Sequence, residues 1–303
     1  MKLYFVCGLL LFGVCDVAAK TIMEAMSSRY DIMSFTSLVR RAGLQSLLTT
    51  GNYTVFVPTD SALETLPADM ISQLYQNITQ LKAMVNYHIV PYAGITEREW
   101  TGEKVNTLTS QPVRLATYPH NNVTVVNGEV LQESNMTVSN GHIYLLSSIL
   151  SPPTADVVRT LEQDAKYSKF LTAAALSGMT SKLKEDNITV LAPYDLAFDN
   201  MYKNRTDALF NSLNMMRAMV EFHVVPGTYY TSGFYDEEKI RDDNSRYDNN
   251  LVVHEYGRQS FRISPFEGNV LNEDWVATNG VIHAISGVKV TWAYLRGLDA
   301  IIG

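Results

Sequence analysis

The chain has 303 residues, 46% of them hydrophobic, and a formal net charge of −7. That is enough apolar chain for two separate cores. A mildly acidic balance without clustered Lys and Arg excludes binding to a phosphate backbone, so nucleic acid is not an expected partner.

Taken in chain order, residues 1–19 are expected to be a signal peptide. Lys2 supplies the positive start, Leu3 to Val14 an apolar stretch too short to span a bilayer comfortably, and Val17-Ala18-Ala19 a small-residue cleavage site. Both cysteines, Cys7 and Cys15, fall inside this segment. The processed chain is then expected to have no disulfide, no thiol nucleophile and no cysteine metal site.

Helical spacing of apolar residues predicts helices over Ile22 to Ser28 and Ile32 to Leu48. A strand follows at Tyr53-Thr-Val-Phe-Val57 and is ended by Pro58. Asp60 stands where a carboxylate would cap the next helix, and a further helix leads into Ala83-Met-Val-Asn-Tyr-His-Ile-Val-Pro91. The last third alternates apolar and polar residues and closes on a buried strand after the turn Asn140-Gly141. Helices first and strands later make an α+β domain.

The same unit is then written again. Shifted by 135 positions, Phe35 to Pro91 lies on Phe170 to Pro226 without a gap, and 17 of the 57 positions are identical. About three would be expected by chance for ordinary composition. Gly43 falls on Gly178, Asp60 on Asp195 and His88 on His223, and near the end Asn140-Gly141 matches Asn279-Gly280 at a shift of 139. A four-residue insertion in the second copy accounts for the changed offset. The prolines of Ser151-Pro152-Pro153 stop a strand and stiffen the joint, so the expected domains are 20–151 and 152–303.

On these residues the chain resembles the fasciclin-type (FAS1) adhesion domain, in both copies almost end to end. Thr54 to Leu63 is similar to that family's first signature, Asn279 to Ile285 to its second, and Tyr87-His88 and Phe222-His223 to its Tyr-His motif. The resemblance implies a β-sandwich wedge packed with helices. It also implies a secreted, extracellular setting, in the matrix or at the cell surface, and binding to integrins, matrix components or neighbouring cells, with self-association a further option. Tyr87, His88, Phe222 and His223 are then candidate receptor-binding residues. Integrin-binding members carry Asp-Ile just before the second signature. Here the matching pairs are Asn135-Met136 and Asp274-Trp275, so Asp274 is the better candidate and Trp275 a plausible anchor beside it.

Six Asn-x-Thr triplets, at Asn52, Asn77, Asn122, Asn135, Asn187 and Asn204, are expected glycan sites behind a signal peptide. Burial before a strand could block Asn52 or Asn187. Catalysis is not expected. His88 and His223 could be imagined as bases paired with Asp60 and Asp195, but no nucleophile recurs with them, and each sits in an apolar run that suits a buried, hydrogen-bonded ring. Met84, Met215, Met216 and Met219 read as core fillers. The acid-rich stretch Asp236 to Asn250 lacks calcium-loop spacing and reads as a solvated loop. No cofactor or metal is expected, and the tail from Trp292 is too interrupted by charge to serve as a lipid-anchor signal. The main expectation is an adhesion glycoprotein. The rivals are a soluble signalling ligand and a binder of lipid, pigment or polysaccharide, with an enzyme last.

Overall fold

The computed structural model describes residues 19–91, 101–132, 136–235, 251–255, 261–264 and 268–290. The expected signal segment up to residue 18, Asn135, the stretch 236–250 and the tail from 291 lie outside the described residues.

The first domain opens with helices α1 (Ile22–Ser27), α2 (Met33–Arg41) and α3 (Gln45–Thr50). The single helix expected over Ile32 to Leu48 is therefore two. Gly43 adopts φ +73°, its N–H bonds Arg40 O, and the Leu44 N–H reaches back to Val39 O. A left-handed glycine after the last turn is what ends α2 there. Next come β1 (Tyr53–Pro58), α4 (Asp60–Glu64), α5 (Ala68–Gln76), α6 (Ile78–Tyr87) and β2 (Ile89–Val90). Strands β3 (Thr101–Asn106), β4 (Pro112–Tyr118), β5 (Val123–Val126), β6 (Glu129–Val130), β7 (Met136–Val138) and β8 (Gly141–Leu146) complete the domain.

Two sheets form, in the orders β2-β1-β8-β7 and β3-β4-β5-β6. Side chains alternate across a strand, and β1 and β8 bury both faces. Val55, Val57, Ile143 and Leu145 pack under the helices. Phe56, Tyr144 and Leu146 point the other way and meet Val113, Leu115 and Val126 of the second sheet. Each domain is thus helices on a sheet on a second sheet, the sandwich the resemblance implies.

The second domain repeats this with α7 (Val157–Leu161), α8 (Ser168–Leu176), β9 (Ile188–Pro193), α9 (Asp195–Asp199), α10 (Lys203–Phe210), α11 (Leu213–His223) and β10 (Val224–Pro226). Strands β11 (Val252–Glu255), β12 (Phe261–Ser264), β13 (Val270–Ala277) and β14 (Gly280–Ile285) follow. Its first sheet runs β10-β9-β14-β13.

The duplication is visible in the pairing register. Tyr53 lies opposite Gly141 in the parallel pair β1/β8, and Ile188 opposite Gly280 in β9/β14. Those partners differ by the sequence offsets of 135 and 139. The turn glycines are required by close approach, since a Cβ on Gly141 would lie 1.8 Å from Tyr53 O and one on Gly280 2.0 Å from Ile188 O. The asparagines beside them tie each domain shut. Asn140 accepts from Ile22 N and donates to Leu48 O and Gly51 O. Asn279 accepts from Val157 N and donates to Leu183 O and Glu185 O.

Candidate functional site at the domain junction

Tyr87, His88, Phe222 and His223 are fully buried, each with no accessible surface. The receptor-contact role expected for them is corrected: a partner cannot touch a side chain that the core encloses. The Tyr87 hydroxyl donates to Pro112 O at 3.1 Å and accepts from Asn127 Nδ2 at 2.8 Å, so it ties the end of α6 to the second sheet. Burial pushes its pKa up to about 12, partly offset by the Asn127 bond. Phe222, which has no hydroxyl, instead packs among Leu191, Val225 and Val253.

The histidines pin backbone. His88 Nδ1 donates to Met84 O at 2.8 Å, and His88 Nε2 accepts from the Leu150 N–H at 3.0 Å. Those two bonds fix the neutral ring with its proton on Nδ1. Leu150 leads directly into Ser151-Pro152-Pro153, so the motif histidine anchors the interdomain joint. Burial holds its pKa down to about 4. His223 Nδ1 donates to Met219 O at 2.7 Å, and Phe170 packs at a tilt against His223 as Phe35 does against His88.

Asp60 and Asp195 are not partners of these rings. Asp60 accepts from Met33 N and Ser34 N at the start of α2, and Asp195 accepts from Lys169 N in the first turn of α8. They cap the domain's earlier helix from a distance, whereas α4 is capped by Thr59 through Ala62 N. The expected cap on the following helix is corrected accordingly. The His–Asp pair needed for acid–base work is not assembled.

The structure instead builds a polar and apolar seam between the two domains. Arg114, only 6% exposed, lies on β4 between buried Val113 and Leu115. Its guanidinium reaches Asp186 of the second domain at 2.9 Å, Asn187 Oδ1 at 3.2 Å and Gly102 O at 2.9 Å. Lys104 joins the same carboxylate at 2.5 Å. Partial desolvation pushes the Asp186 pKa up, but Lys104 and Arg114 outweigh it and leave the net value lowered. Beside this cluster Tyr118, Ala116 and Val125 pack on Tyr230 and Val281, and the Tyr118 hydroxyl accepts from Tyr230 N at 2.7 Å. Gly233 sits so close to the Tyr118 ring that a Cβ would lie 2.2 Å from it. This seam was missed in the sequence, although an Arg inside a run of buried strand residues is a signal that a partner must face it.

Next to the seam lies a cleft of about 590 Å³, bordered by Glu129 and Ser148 of the first domain, Pro152 and Pro153 of the joint, and Asp274 and Trp275 of the second. A bulge shapes its far wall. On β13 the register slips between Asn272 and Trp275, and Asp274 takes φ +55°. An extra residue in one strand turns neighbouring side chains out of the regular pleat. The Asp274 carboxylate accepts from Thr231 N and Thr231 Oγ1, and its own N–H is accepted by His283 Nδ1 at 3.2 Å. His283 Nε2 donates to Tyr229 O, and its Nδ1 stands 3.9 Å from Asp274 Oδ1. Trp275 is half-buried, packed against Tyr167 with ring centroids 6.1 Å apart. Across the cleft burial raises the Glu129 pKa, a Ser148 hydrogen bond opposes this, and the Asp274 charge adds to the rise. In the first copy the matching Asn135 lies outside the described residues, and over Met136–Val138 β7 pairs with β8 in unbroken register.

Among the triplets, Asn52, Asn77, Asn122 and Asn204 are exposed. Asn187 is not free in the same way, because its Oδ1 accepts from Arg114 and from Thr228 Oγ1 in the seam. Among the described residues no group of three or more His, Cys, Asp or Glu could hold a metal, and no helix is long and apolar enough to cross a membrane.

The fasciclin domain model matches residues 31–152 and 165–289. Transforming growth factor-beta-induced protein ig-h3 of Sus scrofa is 24% identical over 245 residues, covering 79% of this chain and 35% of that protein. Human periostin is 24% identical over 207 residues, covering 68% of this chain and 24% of the relative. The chain spans about a third of the length of the first and a quarter of the second. A solved FAS1 domain pair from the insect cell adhesion molecule fasciclin I covers 87% of this chain and 98% of its own, at 16% identity and a TM-score of 0.43. With both halves matched, the chain belongs to the fasciclin domain family and carries two such domains in tandem.

Proposed function

We propose that this protein is a secreted adhesion glycoprotein whose tandem fasciclin domains bind cell-surface receptors or matrix components as one body. The observation that carries the reading is the match of both halves to the fasciclin family, whose resemblance implies adhesion. The buried seam around Arg114 and Tyr230 supports the single-body part, because two domains held in fixed relation present one continuous binding surface. Enclosure of His88 and His223 in the cores, away from Asp60 and Asp195, counts against an enzyme. Integrin recognition through Asp274 is the weaker form of the proposal, since that carboxylate already accepts hydrogen bonds from Thr231. The test is binding of the fluorescent, glycosylated chain to cells and to matrix-coated beads, with and without a divalent-ion chelator. Saturable binding to either supports the proposal, and its loss on chelation identifies an integrin-type receptor. Absence of binding to both would remove it.

A further inference from the structure

We propose that the cleft at the domain junction binds a short, uncharged oligosaccharide, with a pyranose ring laid on Trp275. This goes beyond adhesion and does not depend on it. The volume of about 590 Å³ falls in the range of roughly 300–1,000 Å³ typical of sites that bury most of a small ligand.

The lining chooses among ligand classes. Among the described residues Glu129 and Asp274 border the cleft and no Lys, Arg or His does, so sulfated or uronic-acid glycans would meet like charge. An acyl chain or pigment would strip water from the Glu129 and Asp274 carboxylates and offer them no donor in exchange. A cation is the weaker fit as well, because Asp274 is already engaged by the Thr231 N–H and hydroxyl. A sugar suits what remains. Its hydroxyls donate to the Glu129 carboxylate and exchange bonds with the Gln163 amide, which lies at the cleft and is exposed. Its C–H face needs an apolar platform, and Trp275 supplies one with a large, half-buried ring.

The site is also preorganised. The bulge at Asp274 turns the wall of β13 toward the cleft, Tyr167 backs Trp275, and the His88 bond to Leu150 fixes the start of the proline joint. A cleft whose walls are already set loses less entropy on binding.

The experiment is isothermal titration of the full chain with cellotetraose and chitotetraose, alongside a heparin tetrasaccharide and fully deacetylated glucosamine tetramer. At least one neutral tetramer is expected to bind saturably. Gln163→Ala, at an exposed position, and Glu129→Gln are each expected to weaken it about threefold to tenfold, a change of roughly 0.7–1.4 kcal/mol. Trp275→Ala is expected to abolish it, with Trp275→Phe restoring part. Neutral tetramers that fail to bind, or bind unchanged to the Gln163 and Glu129 variants, would overturn the proposal. So would tighter binding of the heparin or glucosamine tetramer, since recognition would then rest on charge.

Discussion

Arg114 of the first domain and Asp186 of the second stand 2.9 Å apart, guanidinium to carboxylate, with the arginine almost wholly buried and the aspartate largely exposed. The same guanidinium also holds Asn187, so one side chain fastens two consecutive residues ahead of β9. Arg114→Met keeps the stem packed and removes the charge. Asp186 stays hydrated and Asn187 keeps Thr228, so the expected loss is modest, about 1–3 kcal/mol. Urea unfolding reads the loss. Small-angle scattering should show a wider separation of the domains. A variant as stable and as compact as the parent would mean that the seam does not hold the pair.

His88 makes the fold sensitive to acid. Its folded pKa of about 4 lies below the unfolded value of about 6.5. The unfolded chain therefore takes up the proton first. The neutral ring's contribution is complete above pH 6.5 or so and declines as pH falls toward 4, by at most about 3 kcal/mol. Glu129 works in the opposite direction, because its raised pKa favours the folded state on acidification. The comparison that isolates His88 is the urea midpoint at pH 7.5 and 4.5 for the parent and for His88→Gln. The parent should lose more stability than the variant, which starts lower. Equal pH dependence in both would remove the histidine from the account.

Asn187 is the triplet expected to stay unmodified in the folded product. A glycan on its amide would have to fit beside Gly102 of the first domain, where a Cβ would already lie 3.0 Å from Asn187 Oδ1. Asn77 differs. Its oxygen caps α6 by accepting from Thr79 N and Gln80 N, while the nitrogen that carries a glycan is not used in the cap. Glycopeptide mapping of secreted material should find Asn77 occupied and Asn187 bare. Full occupancy at Asn187 would contradict the seam as described.

What could be read in advance was whatever repeats. The offsets of 135 and 139 between copies reappear as strand register, and the apolar runs around His88 and His223 correctly placed both rings inside. Relations that depend on a distant part of the chain were hidden. Asp60 sits at a helix start, and local logic assigned it to that helix, but tertiary packing brings the bare N–H groups of α2 to it. Tyr87 is a candidate contact only through the family's Tyr-His motif, and nothing nearby announces that Asn127 will satisfy its hydroxyl inside the fold. Arg114 stands out inside the apolar run of β4, but nothing near it in sequence names Asp186 as its partner, because an interdomain ion cluster leaves no periodic trace. The bulge at Asp274 appears only when β13 and β14 are paired.

Adhesion differs from ligand binding in one respect, the ability to hold a cell against force. The direct measurement is retention of cells under shear on a surface coated with the glycosylated two-domain chain, scored against an unrelated acidic glycoprotein at equal density. The account predicts dose-dependent retention that soluble chain competes away. Cells that bind the soluble chain yet wash off the coated surface would contradict it, and would make this fasciclin pair a ligand and not an adhesive.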